Sequence, residues 1–164
     1  MVEFLITLAV SALLFLAVAV LGLYSGRSFA GLVNYTDLDT RSRGALDRMT
    51  RDVRQVNRLV SNTATSLVFE DGDGAALRYA YSPQNRTLSR IKSSSTEVLL
   101  TECDSLSFAI FQRNPIGGTY DQYPTATPAT AKLINVTWTC SRGILGTTMN
   151  TENVQTAKIV IRKQ

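Results

Sequence analysis

Asp71 and Asp73 alternate with Gly72 and Gly74, and alternating carboxylates are one way a chain presents oxygens to calcium. The further acids that a calcium loop needs are missing, because Ala75, Ala76 and Leu77 follow. A tight hairpin turn is the better reading of this segment. The two cysteines, Cys103 and Cys140, have no CxxC spacing and there is no histidine, which argues against a zinc site. The absence of histidine also removes Ser-His-Asp and Cys-His nucleophile chemistry. No phosphate-binding glycine loop occurs. The chain therefore reads as a protein without catalysis or cofactor. One charged group stands out for its placement. Glu3 lies immediately before a long apolar run, where a carboxylate is costly unless a positive group meets it.

That run is the first element to consider. Residues 4–26 contain no charged side chain, and residues 4–24 read FLITLAVSALLFLAVAVLGLY. Roughly 20 apolar residues, rising about 1.5 Å each, span a bilayer as a helix. A signal peptide would be shorter and would carry a basic region ahead of it. A core helix would be polar along one side, whereas only Thr7, Ser11 and glycines interrupt this one. Membrane insertion is expected. Arg27 follows the run and no Lys or Arg precedes it. The positive-inside tendency thus puts the remaining chain in the cytoplasm, unless a basic leader once stood in front.

The helical pattern continues beyond the apolar run. Apolar or small residues recur at Phe29, Leu32 and Val33, then at Ala45, Leu46, Met49, Val53, Val56, Leu59 and Val60, and no proline occurs before Pro83. Steps of three and four give one stripe facing a partner, with an Arg/Asp face turned away. One helix from about residue 2 to about residue 60 is expected. Gly22, Gly26 and Gly31 are soft points, and Asp39 or Thr40 offers an alternative cap for a separate second helix. The polar face carries Arg41, Arg43, Arg48, Arg51, Arg54 and Arg58 against Asp47 and Asp52. Such a stretch is either the solvated face of an amphipathic helix or a surface for nucleic acid or an anionic membrane.

From Ser66 the apolar period changes to two. Strands are expected at 66–71, 76–82, 87–92, 97–102, 105–113, 132–141 and 154–163, rich in β-branched and aromatic residues. Asp71 to Gly74 closes the first hairpin and Pro83 to Arg86 the second. Connections this short imply an antiparallel sheet. Alternation turns Leu106, Phe108 and Ile110 inward, together with Ile134, Val136, Trp138 and Cys140. The fold class is α+β: a long N-terminal helix, half apolar and half amphipathic, packed on an antiparallel β head domain. The chain divides into a core or membrane helix (1–26), an amphipathic helix (27–60) and the head (61–164).

Cys103 begins one strand and Cys140 ends another. If those strands are antiparallel neighbours, a disulfide is geometrically possible, the alternative being two buried thiols. The segment 114–130 is loop-like in composition, and Tyr120 and Tyr123 in it are candidate surface contacts. Asn34, Asn85 and Asn135 begin glycosylation-type triplets, a pattern that arises often by chance.

The start MVEFLITLAVSALLFLAVAVLGL (1–23) resembles a type IV pilin or pseudopilin, whose mature chains begin Phe-Thr-Leu-(Ile/Val)-Glu-Leu. SRGALDRMTRDVRQ (42–55) is similar to the continuation helix of minor pilins and J/W-type pseudopilins. The family's acid is the fifth mature residue, whereas here Glu3 is third. The resemblance implies two residues, typically Phe and Thr, ahead of Met1, and a basic leader before them. It also implies a subunit anchored in the inner membrane until a prepilin peptidase and an assembly machinery deliver it to an extracellular or periplasm-spanning filament of like chains. In that filament Phe4, Leu8, Phe15 and Leu21 lie in the helical core. Glu3 pairs there with a neighbour's N-terminal ammonium, a group the family methylates and which belongs to Met1 only if those two residues are absent. Arg41, Arg48 and Arg51 become candidate contacts between heads. DNA binding by the head is a further possibility the resemblance admits.

Overall fold

The computed structural model describes residues 1–113, 122–125, 127–144 and 153–163. Helix α1 (Val2–Gln55) is continuous for 54 residues, about 81 Å at 1.5 Å per residue. It runs unbroken through Gly22, Gly26 and Gly31, and no second helix begins near Thr40. The Thr40 hydroxyl donates instead to the Thr36 carbonyl (2.8 Å), and Asp39 pairs with Arg43 one turn on (2.7 Å). Thr7, inside the apolar run, satisfies its hydroxyl on the carbonyls of Glu3 and Phe4 (3.1 and 3.0 Å).

The helix ends earlier than its apolar spacing predicts. Val56 is already extended (ψ 150°), and Leu59 and Val60 belong to strand β1 (Arg58–Asn62). Leu59 is buried there opposite Phe69, so its three-residue step from Val56 was not helical.

The strands divide into two antiparallel sheets. The first holds β1, β2 (Ser66–Glu70), β3 (Ala76–Ser82), β4 (Thr87–Lys92) and β5 (Ser95–Leu100), ordered as in the chain. The second holds β6 (Cys103–Arg113), β7 (Gln122–Pro124), β8 (Leu133–Cys140) and β9 (Asn153–Val160), in the order β7-β6-β8-β9. Strands β3 and β4 keep their expected bounds, whereas β1 and the short β7 were not expected. The β2–β3 turn carries Gly74 at φ 81° and donates its N–H to the Asp71 carbonyl (2.9 Å), as a tight hairpin should. The sheets meet where Arg86, at the end of the β3–β4 turn, reaches the carbonyls of Glu102 (3.2 Å) and Ser141 (3.0 Å) and ion-pairs with Asp104.

The core lies between the inner faces of the sheets and one stripe of α1. Leu38, Ser42, Ala45, Met49, Asp52 and Val53 are buried at steps of three and four. They meet Leu67, Phe69, Leu77, Tyr79 and Leu88 from the first sheet and Phe108, Ile134, Val136 and Trp138 from the second. The inward sets expected for β6 and β8 are all buried. Phe69 and Tyr79 stack edge to face, 6.4 Å apart at 85°. Full burial of each Leu, Met or Val of the helical stripe contributes roughly 1.5–3 kcal/mol.

Candidate functional site

Residues 1–30 are all exposed, and the stripe that packs on the head starts only at Leu38. Phe4 retains 72% and Phe15 77% of its surface. The helix is long and apolar enough to cross a membrane. On a helical projection of about 100° per residue, Phe4, Leu8 and Phe15 share one face and Leu21 lies roughly a third of a turn away. Met1 and Glu3 sit at the free end, and the Glu3 carboxylate has no partner among the described residues.

The apolar surface outlasts the charge-free run. Phe29, Leu32 and Val33 are 68%, 63% and 65% exposed. With Thr36 they follow the i, i+3, i+4, i+7 spacing and form one stripe. This stripe points away from the head, because the buried residues Leu38, Ser42 and Ala45 lie on the opposite side of the same helix. On the head side, a Cβ at Gly31 would stand 3.5 Å from Ile144 Cδ1.

Where the helix meets the head, Arg142 gathers three elements. Its guanidinium donates to Asp37 (3.0 Å) and Asn34 (3.3 Å) on α1 and makes a bidentate pair with Glu102 (2.6 and 3.0 Å). Fork-to-carboxylate geometry of this kind is the strong form of the ion pair. The Arg142 contact holds the Glu102 carboxyl below its usual range, and the same guanidinium, with Arg41, does so for Asp37. Glu102 adopts φ 58°, a left-handed conformation uncommon for a non-glycine residue.

Deeper along the helix, Asp52 was expected on the polar face but is buried. It accepts from the Tyr79 hydroxyl (2.6 Å) and the Arg90 guanidinium (2.5 Å). Burial, and then the hydrogen bond to Asp52, raise the Tyr79 hydroxyl far above its ordinary pKa. Nothing local in the sequence marks Arg90 or Arg142 as partners of the helix. The Arg90 position within a period-two strand, facing the same side as Leu88, was the only available signal.

The arginines singled out in the sequence are largely engaged within the chain. Arg41 pairs with Asp37 (3.1 Å), Arg48 lies 3.9 Å from Asp52 and 4.0 Å from Glu97, and Arg51 donates to the Asp47 carbonyl (3.4 Å). Tyr123 is exposed on β7, whereas Tyr120 lies outside the described residues. The Asp71 and Asp73 carboxylates converge on one cation, the Lys92 ammonium, which pairs with Asp71 and lies 3.0 Å from Asp73. The Lys92 contact lowers Asp71 and raises Lys92, while Asp73 is lowered first by the Ala75 N–H (2.9 Å) and then by Lys92. Cys103 and Cys140 are both buried and directly opposed across β6 and β8, with their thiols free.

No family model matches the chain, and no curated protein is significantly similar to it in sequence.

Proposed function

We propose that this chain is a structural subunit of a type IV pilus-like filament, anchored in the inner membrane by its N-terminal helix and polymerising through that same helix. The carrying observation is the fully exposed apolar half of α1, which ends at an unpaired Glu3 and continues without a break into a folded head. A side-on bundle of like helices replaces lipid around residues 4–24. Glu3 pairs with a neighbour's terminal ammonium and fixes axial register, as a buried polar group can. No step of this role requires catalysis, a cofactor or a metal.

A single-pass membrane protein that never polymerises shares the anchor. It gives no account of the exposed stripe Phe29, Leu32 and Val33, which lies beyond Arg27 and past a bilayer-length span. A minor pseudopilin of a secretion-type filament has the same construction and differs in position and number. Nucleic-acid binding draws less support, since Arg41, Arg48 and Arg58 already face acids of their own chain.

Electron microscopy of surface material from the native cell is the direct test, with helical filaments containing this chain as the expected result. Glu3→Ala should leave the subunit inserted and the head folded while filament yield collapses. Undiminished yield from that variant, or only dispersed monomers from the wild type, would overturn the reading.

A further inference from the structure

We propose that Cys103 and Cys140 are a disulfide-forming pair, a modification site that staples the head where it grips the helix. The proposal stands apart from the filament reading.

Cys103 opens β6, Cys140 closes β8, and the two are direct partners in the antiparallel ladder. The next pair outward is the hydrogen-bonded one, because the Ser141 N–H donates to the Glu102 carbonyl (3.0 Å). The Cys103 N–H turns instead to the Arg86 carbonyl (2.9 Å). Antiparallel pairs alternate, so Cys103 and Cys140 form a non-hydrogen-bonded pair, the class with Cα atoms about 4.5 Å apart. That separation falls within the roughly 4.4–6.8 Å that a disulfide bridges. Both side chains are buried on the inner face, where the Cys103 thiol donates to the Ser105 carbonyl (3.2 Å).

The chemistry needs an external disulfide, either a small one of the oxidised-glutathione class or the exposed disulfide of a thiol oxidase. The thiolate of one cysteine attacks it and expels one thiol. The other cysteine then loses its proton and attacks the mixed disulfide, expelling the second thiol. Two electrons and two protons pass from the cysteines, and the external disulfide becomes two thiols. Both sulfurs are sealed in the folded head, so the exchange belongs to folding, while β6 and β8 are still open to solvent.

The placement gives the bond a structural purpose. Glu102 immediately precedes Cys103, and Arg142 follows Cys140 by two residues. These two side chains pair with each other, and Arg142 closes on Asp37 of the helix as well. A covalent link between the strand ends therefore fixes the bases of the helix clamp.

The test refolds the full chain in detergent with either oxidised glutathione or a phosphine reductant, followed by alkylation under denaturing conditions and unreduced peptide mapping. The expected result is an intramolecular Cys103–Cys140 peptide, two hydrogens lighter than its reduced parts. A melting temperature several degrees above that of the reduced protein should accompany it. Cys103→Ala/Cys140→Ala should melt identically with and without oxidant. Alkylation of both cysteines after oxidative refolding, links only between chains, or a wild-type melting temperature indifferent to oxidant would each overturn the proposal.

Discussion

The indole N–H of Trp138 donates to the hydroxyl of Ser42 across 3.2 Å, and both side chains are sealed from solvent. The bond joins the C-terminal half of the long helix to an inner strand of the second sheet. Buried polar groups left unpaired cost about 1–3 kcal/mol, so Ser42→Ala should destabilise the head by that amount. Trp138 is the chain's one tryptophan, which makes intrinsic fluorescence a local probe of urea unfolding. An unchanged midpoint would show that the indole finds another acceptor.

Asp52 and Arg90 supply a harsher version of the same experiment. Removing one partner of a buried ion pair typically costs about 3–5 kcal/mol, while exchanging both for apolar residues is often close to neutral. Asp52→Leu alone should therefore destabilise more than Asp52→Leu combined with Arg90→Met. A double-mutant cycle by chemical denaturation measures the coupling. Strict additivity would mean that the two charges do not depend on each other.

Acid should weaken the grip between helix and head. Arg142 depresses the carboxyls of Glu102 and Asp37 in the folded state, from ordinary values of 4.5 and 3.8. Groups with lowered folded values contribute fully above their ordinary pKa and lose that contribution as pH falls through the folded one. Stability owed to this cluster should be level above about pH 5 and decline below it. Glu102→Gln should be less stable than wild type at neutral pH, and the gap should narrow by pH 3. Urea midpoints at the two pH values decide it, and a gap independent of pH would refute the assignment.

The exposed stripe beyond Arg27 separates anchoring from assembly. Leu32→Arg places a charge outside the bilayer-length segment, so membrane insertion should be unaffected. If like helices pack against this stripe, burying an unpaired guanidinium should lower filament yield at least about tenfold. Fractionation followed by filament counting gives both readouts, and normal filaments would show that the stripe faces solvent in the assembly.

The helix and the head's antiparallel character were legible because both rest on local patterns. A charge-free run admits few readings, and period-two alternation between glycine and proline turns set β3 and β4. The end of the helix was not legible, because Val56, Leu59 and Val60 keep helical spacing while the backbone has already extended. The split into two sheets depends on the β5–β6 corner at Glu102, whose positive φ no composition reveals. Asp52 was assigned to the solvated face because its partners, Tyr79 and Arg90, are 27 and 38 residues away. Arg142 was missed for the same reason, standing 105 residues from Asp37. Local period reports burial well, whereas pairing between distant charges leaves no trace in it.

Burial on α1 begins at Leu38, and nothing before Ala30 is covered by the head. Each half of one continuous helix thus answers to a different solvent. The head keeps its core and its clamp whatever surrounds residues 4–30. What surrounds those residues reaches the head only through the continuous backbone of α1.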